Sequence, residues 1–162
     1  MKKLLFLLVS GVGLLSAQSY TVSVGSGINA YATPSNFGYM SFSTPVAENS
    51  YSITTVEMYG NVARLRTGVA HDLATTGPAT LFALADLGVA TNGNGNVGVD
   101  FSTGSGIRVR GNGVPFVNRW VKTDKAGFLW TTLLHKSAIS NPDGTTGVQP
   151  SFTAGVYLTF GK

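Results

Sequence analysis

The sequence predicts an all-β fold: a closed, antiparallel, up-and-down transmembrane β-barrel of eight strands. Three observations lead to this prediction. Only 11% of the 162 residues are charged, against about 25% in ordinary soluble domains. Apolar and polar residues alternate with period two through much of the chain, as in strands with two unlike faces. Clusters of Gly, Pro, Asn and Ser separate the alternating segments, as turns do.

The first residues have the composition of an export signal. Lys2 and Lys3 precede an apolar run over residues 4–15, and Ala17 stands where a signal peptidase could cut. This run is too short to be a spanning helix. We therefore expect a signal peptide over residues 1–17 and a barrel domain over residues 18–162. Removal of the two lysines would lower the formal charge from +4 to +2, which gives no support to nucleic-acid binding.

The strand pattern can be followed from one end of the mature chain to the other. Expected strands cover residues 20–29, 37–46, 51–58, 62–71, 80–91, 96–110, 128–136 and 151–160. The Ala- and Leu-rich segment 79–90 could also form a helix, and residues 114–122 could form a further strand. A barrel with both termini at one end needs an even number of strands, so eight is expected and ten is the alternative.

The alternation also predicts which face of each strand meets lipid. In residues 96–110, one face carries mostly apolar side chains and the other carries Gly, hydroxyl groups and charges. Small residues with isolated charges suit a narrow interior in which charges must be paired. We therefore expect the apolar face to point outward and three acids and four bases to form a network in the lumen: Glu57, Arg64, Arg66, Asp86, Asp100, Arg108 and Arg110.

The chain length agrees with this architecture. Closure satisfies every backbone hydrogen bond, which a lipid environment requires. Eight strands with short turns need roughly 120–145 residues. The interior of an eight-stranded barrel is filled by side chains, so an open diffusion pore is not expected.

The sequence resembles the small outer-membrane β-barrel proteins of Gram-negative-type bacteria. The resemblance is carried by the signal peptide, the run LFALADLGVA at 81–90, the segment GSGIRVR at 104–110 and the final strand GVYLTF at 155–160. In that family, a last strand with a terminal aromatic residue is the signal read by the barrel-assembly machinery, although here Gly161 and Lys162 follow Phe160. The resemblance implies the bacterial outer membrane as location, and outer-membrane lipids and lipopolysaccharide as surroundings.

These features favour a non-enzymatic, monomeric membrane protein with a structural, surface or adhesion role. The loops near 32–36, 59–61, 92–95 and 138–150 would face outside, and the turns near 47–50, 73–78 and 111–126 the periplasm. The chain has no Cys, and no metal-ligand or phosphate-loop pattern is evident, so neither metal nor cofactor is expected. An alternative is a soluble, lipocalin-like barrel that binds a small apolar ligand, with the apolar face inward.

One short pattern raises an enzymatic alternative. His135 and Ser137 lie on one strand face and resemble the His-x-Ser pair of the outer-membrane lipid A deacylases. A serine nucleophile needs a base within hydrogen-bond reach and a third group that orients the base. Asp143 is the sole acid downstream, and it lies in a Pro/Gly-rich loop. A histidine at the barrel rim beside a loop serine is the simpler interpretation.

Overall fold

The protein is a closed barrel in which each strand pairs with the next along the chain and the last pairs with the first. The computed structural model describes residues 19–30, 35–60, 62–137 and 147–161, without the side chains of residues 35, 59 and 137. The predicted signal peptide, residues 1–17, lies outside these ranges. The strands are β1 Tyr20–Asn29, β2 Ser35–Ala47, β3 Ser50–Tyr59, β4 Val62–Thr76, β5 Ala79–Thr91, β6 Val97–Arg110, β7 Ala126–Ser137 and β8 Val148–Phe160.

The predicted fold class is confirmed. Every ladder is antiparallel, and β1 closes the barrel by pairing with β8 from Tyr20↔Phe160 to Asn29↔Ser151. Segment 79–90 belongs to a strand, so the helix alternative is wrong. Its side chains alternate between the inside and the outside of the barrel, which places Phe82 and Leu84 in the interior.

Residues 111–125 connect β6 to β7 without forming the further strand that the sequence left open. They contain two 3₁₀ turns, Gly111–Gly113 and Val117–Arg119. A ten-stranded barrel is therefore excluded for the described part of the chain. No helix in that part is long and apolar enough to cross a membrane.

The strand order places the connections at two opposite ends. The terminal end carries Tyr20, Phe160, two-residue turns at 48–49 and 77–78, and the connection 111–125. The loop end carries the other four connections. Two positive φ angles shape the tight turns: Asn49 at 56° and Gly77 at 57°, a region that Asn and Gly enter more easily than other residues.

Strand β4 is longer at the terminal end than the pattern indicates. β4 continues to Thr76, and its register with β5 shifts between Asp72 and Ala74. A bulge of this kind inserts one unpaired residue and bends the strand. It also ends the simple alternation, which is why the sequence indicated a turn from residue 73.

Candidate functional site: two charge clusters inside the barrel

The outward and inward faces of the strands are the ones the alternation indicates. Val24, Val99 and Val156 are 45%, 58% and 47% exposed, although all three are large apolar side chains. Asp100 and Arg66, on inward-facing positions, are 0% and 1% exposed. The outward surface is thus largely apolar, whereas the interior holds buried charges together with apolar side chains such as Phe82 and Leu84. In a soluble barrel, charges would face outward into water.

One charge cluster lies in the half of the barrel nearer the loop end. Its members come from four neighbouring strands, and each lies within a few residues of the loop end of its strand. We call it the loop-end cluster: Glu57 of β3, Arg64 and Arg66 of β4, Asp86 of β5 and Asp100 of β6. All five side chains are buried, with exposures of 4% or less.

Arg66 is the centre of the loop-end cluster because it contacts all three of its carboxylates. Its Nη1 donates to Glu57 Oε2 and to Asp100 Oδ2, each at 3.2 Å. Its Nη2 donates to Glu57 Oε1, and its Nε lies 3.0 Å from Asp86 Oδ1. One guanidinium thus joins strands β3, β5 and β6.

Arg64 supplies the second cation of the loop-end cluster. Its Nε lies 3.3 Å from Asp100 Oδ2, and its Nη1 lies 3.7 Å from Glu57 Oε2. Ser102 donates a hydrogen bond of 2.6 Å to Asp86 Oδ1. With two arginines and three carboxylates, the formal charge of the cluster is −1.

Glycines lie opposite two of these charged residues and let the neighbouring strand backbones approach closely. Across the β4–β5 ladder, Arg66 lies opposite Gly88 and Asp86 lies opposite Gly68. A Cβ added to Gly88 would come within 2.6 Å of the Arg66 Cα, so no larger residue fits without movement of the backbone. Gly68 and Gly88 are therefore required by the close approach of the β4 and β5 backbones.

The second cluster lies in the half nearer the terminal end. Arg108 Nη2 donates to both oxygens of Asp72, at 2.6 and 2.7 Å, and the Tyr51 hydroxyl donates to Asp72 Oδ2 at 3.0 Å. The Arg108 guanidinium also lies over the rings of Tyr51 and Phe82, 4.8 and 5.6 Å from their centroids. We call Tyr51, Asp72 and Arg108 the terminal-end cluster.

The seven residues of the expected lumen network are thus divided. The structure brings Glu57, Arg64, Arg66, Asp86 and Asp100 together in the loop-end cluster. It places Arg108 on Asp72, a partner that the sequence did not single out. Arg110 is exposed, and its Nη2 donates to the carbonyl of Gly77 at 2.7 Å. The seven residues therefore do not form one network.

Space inside the barrel differs between the two clusters. Directly beside the loop-end cluster, a cavity of about 40 Å³ is lined by Glu57, Arg66 and Asp86 among others, which is room for a few water molecules at most. Around the terminal-end cluster, an opening of about 260 Å³ is lined mainly by polar side chains, including Asp72, Arg108 and Arg110. Side chains therefore close the interior at the loop-end cluster, whereas the interior is open at the terminal-end cluster.

The candidate catalytic pair is only partly described. His135 is 1% exposed and lies across from Ser102 on β6 and Gln149 on β8. The side chain of Ser137 and all of Asp143 lie outside the described residues. Within the described residues, no group of three His, Asp or Glu side chains is placed to hold a metal ion.

Comparison with known proteins shows the fold. No family model and no curated protein sequence matches the chain. Among solved structures, it is similar to Neisserial surface protein A, with a TM-score of 0.62 and 11% identity over 88% of this chain and 96% of that one. It is also similar to the N-terminal β-barrel domain of Pseudomonas aeruginosa OprF, with a TM-score of 0.57 and 13% identity over 89% and 98%. A de novo designed transmembrane β-barrel gives a TM-score of 0.56 and 10% identity over 90% and 98%.

Proposed function

We propose that this chain is an integral protein of the bacterial outer membrane, with a lumen closed by side chains and a structural or surface role exerted through its loops. The observation that carries the proposal is the distribution of side chains: many large apolar side chains of the described strands are exposed on the outside, and buried ion pairs lie inside. Lipid is the solvent in which such a surface is stable. The solved structures of similar fold include two bacterial barrels and a designed transmembrane barrel, and this similarity supports the proposal of a membrane barrel.

Outward-facing hydroxyl groups also suit a lipid environment, because they have hydrogen-bond partners within the barrel wall. Thr54 and Thr67 bond to each other across β3 and β4 at 3.3 Å, and Thr67 also donates to the carbonyl of Ile53. Farther around the wall, Thr103 of β6 donates to the carbonyl of Leu84 at 3.3 Å. A polar group in hydrocarbon is costly without such a partner.

If the barrel is inserted in a membrane, the folding free energy lost through an outward-facing charge should depend on the depth of that charge in the bilayer. Val24 is the fifth residue of the ten in β1 and is 45% exposed, whereas Val46 lies next to the β2–β3 turn and is 59% exposed. Val24→Arg should cost about 2–4 kcal/mol of folding free energy in phospholipid vesicles, and Val46→Arg about 0–1 kcal/mol. Urea titrations followed by heat-modifiable gel mobility measure both.

The matched pair makes this test specific. The two variants introduce the same side chain at similarly exposed positions, so a soluble barrel would tolerate both equally. Equal and small costs for Val24→Arg and Val46→Arg, or a soluble periplasmic monomer in cell fractions, would contradict membrane insertion. A lipocalin-like ligand carrier would require the mostly apolar strand face to line a ligand cavity. Here that face points outward, and the loop-end cluster occupies the interior beside apolar side chains such as Phe82 and Leu84.

The surface role requires the loop end to face outside the cell. Outer-membrane barrels have short periplasmic turns and longer external loops. Two of the three connections at the terminal end are two-residue turns, at 48–49 and 77–78, and they support a periplasmic terminal end, although the connection 111–125 is longer. The chain has no cysteine, so single cysteines can report sidedness. Asn94→Cys, in the β5–β6 connection at the loop end, should react with a membrane-impermeant maleimide on intact cells.

The control for sidedness is Glu48→Cys in the β2–β3 turn, which should react only after the outer membrane is permeabilised. Both positions are exposed, so a difference in labelling reports location and not burial. Labelling of Glu48→Cys and not of Asn94→Cys on intact cells would reverse the proposed orientation. In the proposed setting, the barrel reaches the membrane through the barrel-assembly machinery and lies as a monomer among lipids and lipopolysaccharide.

A further inference from the structure

The connection between β6 and β7 presents two aromatic side chains that the described part of the chain leaves exposed. Phe116 is 78% exposed and Trp120 is 88% exposed. These fractions exceed those of every large apolar side chain on the described strands, including the outward-facing ones. Apolar side chains of this size rarely stand free in water as a pair on one short segment. We call residues 114–122 the aromatic loop.

The aromatic loop has a defined backbone, so the exposure of its aromatic side chains is a property of its structure. Asn118 N donates to the carbonyl of Val114 at 3.0 Å, and Trp120 N and Val121 N both donate to the carbonyl of Val117 at 2.9 Å. Phe116 has a φ of 71°, which is strained for a bulky residue. Such strain persists where the surrounding structure holds it, and it is often found at functional positions.

The aromatic loop lies between two strands that carry an outward-facing apolar band near the terminal end. It follows β6 and precedes β7, whose outward residues pair as Val109↔Phe128 and Ile107↔Trp130. Ile107 and Trp130 are 44% and 45% exposed, and the Phe128 and Trp130 rings stack at 6.0 Å. An apolar band on the barrel wall therefore leads to the terminal end at the place where the loop begins.

Basic residues stand beside the two exposed aromatics. Three basic residues of the connection are exposed: Arg119, Lys122 and Lys125. The same connection has one exposed acid, Asp124. Aromatic side chains next to Arg and Lys are the composition of segments that lie at the boundary between hydrocarbon and anionic headgroups. The charge of the connection is complementary to phosphate headgroups.

We propose that the aromatic loop docks onto the phospholipid headgroup region at the terminal end of the barrel. Phe116 and Trp120 enter the boundary of the acyl chains, and Arg119 and Lys122 contact anionic headgroup phosphates. The loop then fixes the depth of the barrel on the β6–β7 side. This proposal rests on membrane insertion of the barrel, and its test separates the two.

The sequence makes the test direct because the chain has two tryptophans, Trp120 and Trp130. Trp130→Phe leaves Trp120 as the sole fluorophore, and Trp120→Phe leaves Trp130, which lies within β7 and faces outward. Each mature variant is folded into vesicles of phosphatidylethanolamine and phosphatidylglycerol, with bromine at either a shallow or a deep acyl position. Heat-modifiable mobility confirms that each variant is folded before emission is recorded.

Docking predicts that both tryptophans lose emission to brominated lipid and are shielded from aqueous acrylamide. Trp120 should be quenched most by shallow bromine, and Trp130 by deeper bromine. In the Trp130→Phe background, Arg119→Gln with Lys122→Gln should reduce quenching of Trp120, and omission of phosphatidylglycerol should have the same effect. Trp130 should respond to neither change.

One outcome would overturn the docking of the aromatic loop, and another would overturn membrane insertion of the barrel. If lipid quenches Trp130 while acrylamide reaches Trp120 and bromine does not, the barrel is inserted but the loop stays in water, where its aromatics would serve a protein partner. If lipid quenches neither tryptophan in folded protein, membrane insertion itself is wrong.

Discussion

The two charge clusters use the same kinds of side chain in different surroundings. In the loop-end cluster, Arg66 and its three carboxylates are almost entirely buried, beside a cavity of about 40 Å³. In the terminal-end cluster, Arg108 and Asp72 keep 23% and 13% of their side-chain surface exposed, at the edge of an opening of about 260 Å³. The difference predicts that one cluster is a structural plug and the other a solvated ion pair.

Burial determines what a missing partner costs. A buried charge that loses its partner keeps the full penalty of its own desolvation, whereas an exposed one regains water. In the loop-end cluster, the carboxylates have little access to water and depend on arginine. In the terminal-end cluster, Asp72 can be solvated through the opening. Hydrogen bonds join arginine to carboxylate in both clusters, at 3.2 Å from Arg66 to Asp100 and at 2.6 Å from Arg108 to Asp72. We therefore expect the surroundings to decide the difference in energy.

The largest effect is expected from removal of the central cation of the loop-end cluster. Arg66→Met keeps much of the side-chain volume but leaves Glu57, Asp86 and Asp100 with Arg64 alone, which changes the formal charge of the cluster from −1 to −2. We expect a loss of about 3–5 kcal/mol in the free energy of unfolding. Urea titrations in vesicles, read by heat-modifiable mobility, measure it.

A second substitution tests the electrostatic reason for this loss. Asp86→Asn added to Arg66→Met returns the formal charge to −1, so the double variant should recover part of the lost stability. Such non-additivity is the signature of residues that act in one network. A cost of less than about 0.5 kcal/mol for Arg66→Met, or no recovery in the double variant, would show that the cluster does not hold this half of the barrel together.

The faces of the strands follow from the sequence, but the pairing of charges across the lumen does not. Alternation in β6 and β8 is uninterrupted, so the inward position of Asp100 and the outward position of Val156 follow from parity alone. Which inward charges meet depends on the stagger between strands, since Glu57, Arg66 and Asp100 come from three different strands. That stagger is a property of the closed barrel and leaves no local pattern.

Asp72 was missed for a related reason. The sequence indicates a turn soon after His71, whereas β4 runs to Thr76 with a bulge between Asp72 and Ala74. The bulge interrupts the period of two on which the strand prediction depends, but it follows Asp72. Asp72 keeps the inward parity of Arg64 and Arg66 and meets Arg108 inside the barrel. The sequence also left the conformation of the connection 111–125 undecided, because its 3₁₀ turns are set by local backbone hydrogen bonds and not by alternation.

The smaller effect is expected at the terminal-end cluster, and salt distinguishes it from the larger one. Arg108→Met removes the bidentate contact with Asp72, but Met can still pack against Tyr51 and Phe82, and Asp72 keeps the Tyr51 hydroxyl. We expect a loss of about 1 kcal/mol at low salt, as for partly exposed pairs. Because added salt screens solvent-accessible charges, the difference between wild type and Arg108→Met should shrink as the salt concentration rises, while the cost of Arg66→Met stays nearly constant. Equal costs for the two variants, or the same salt dependence for both, would mean that water reaches both clusters alike and that the loop-end cluster does not close the lumen.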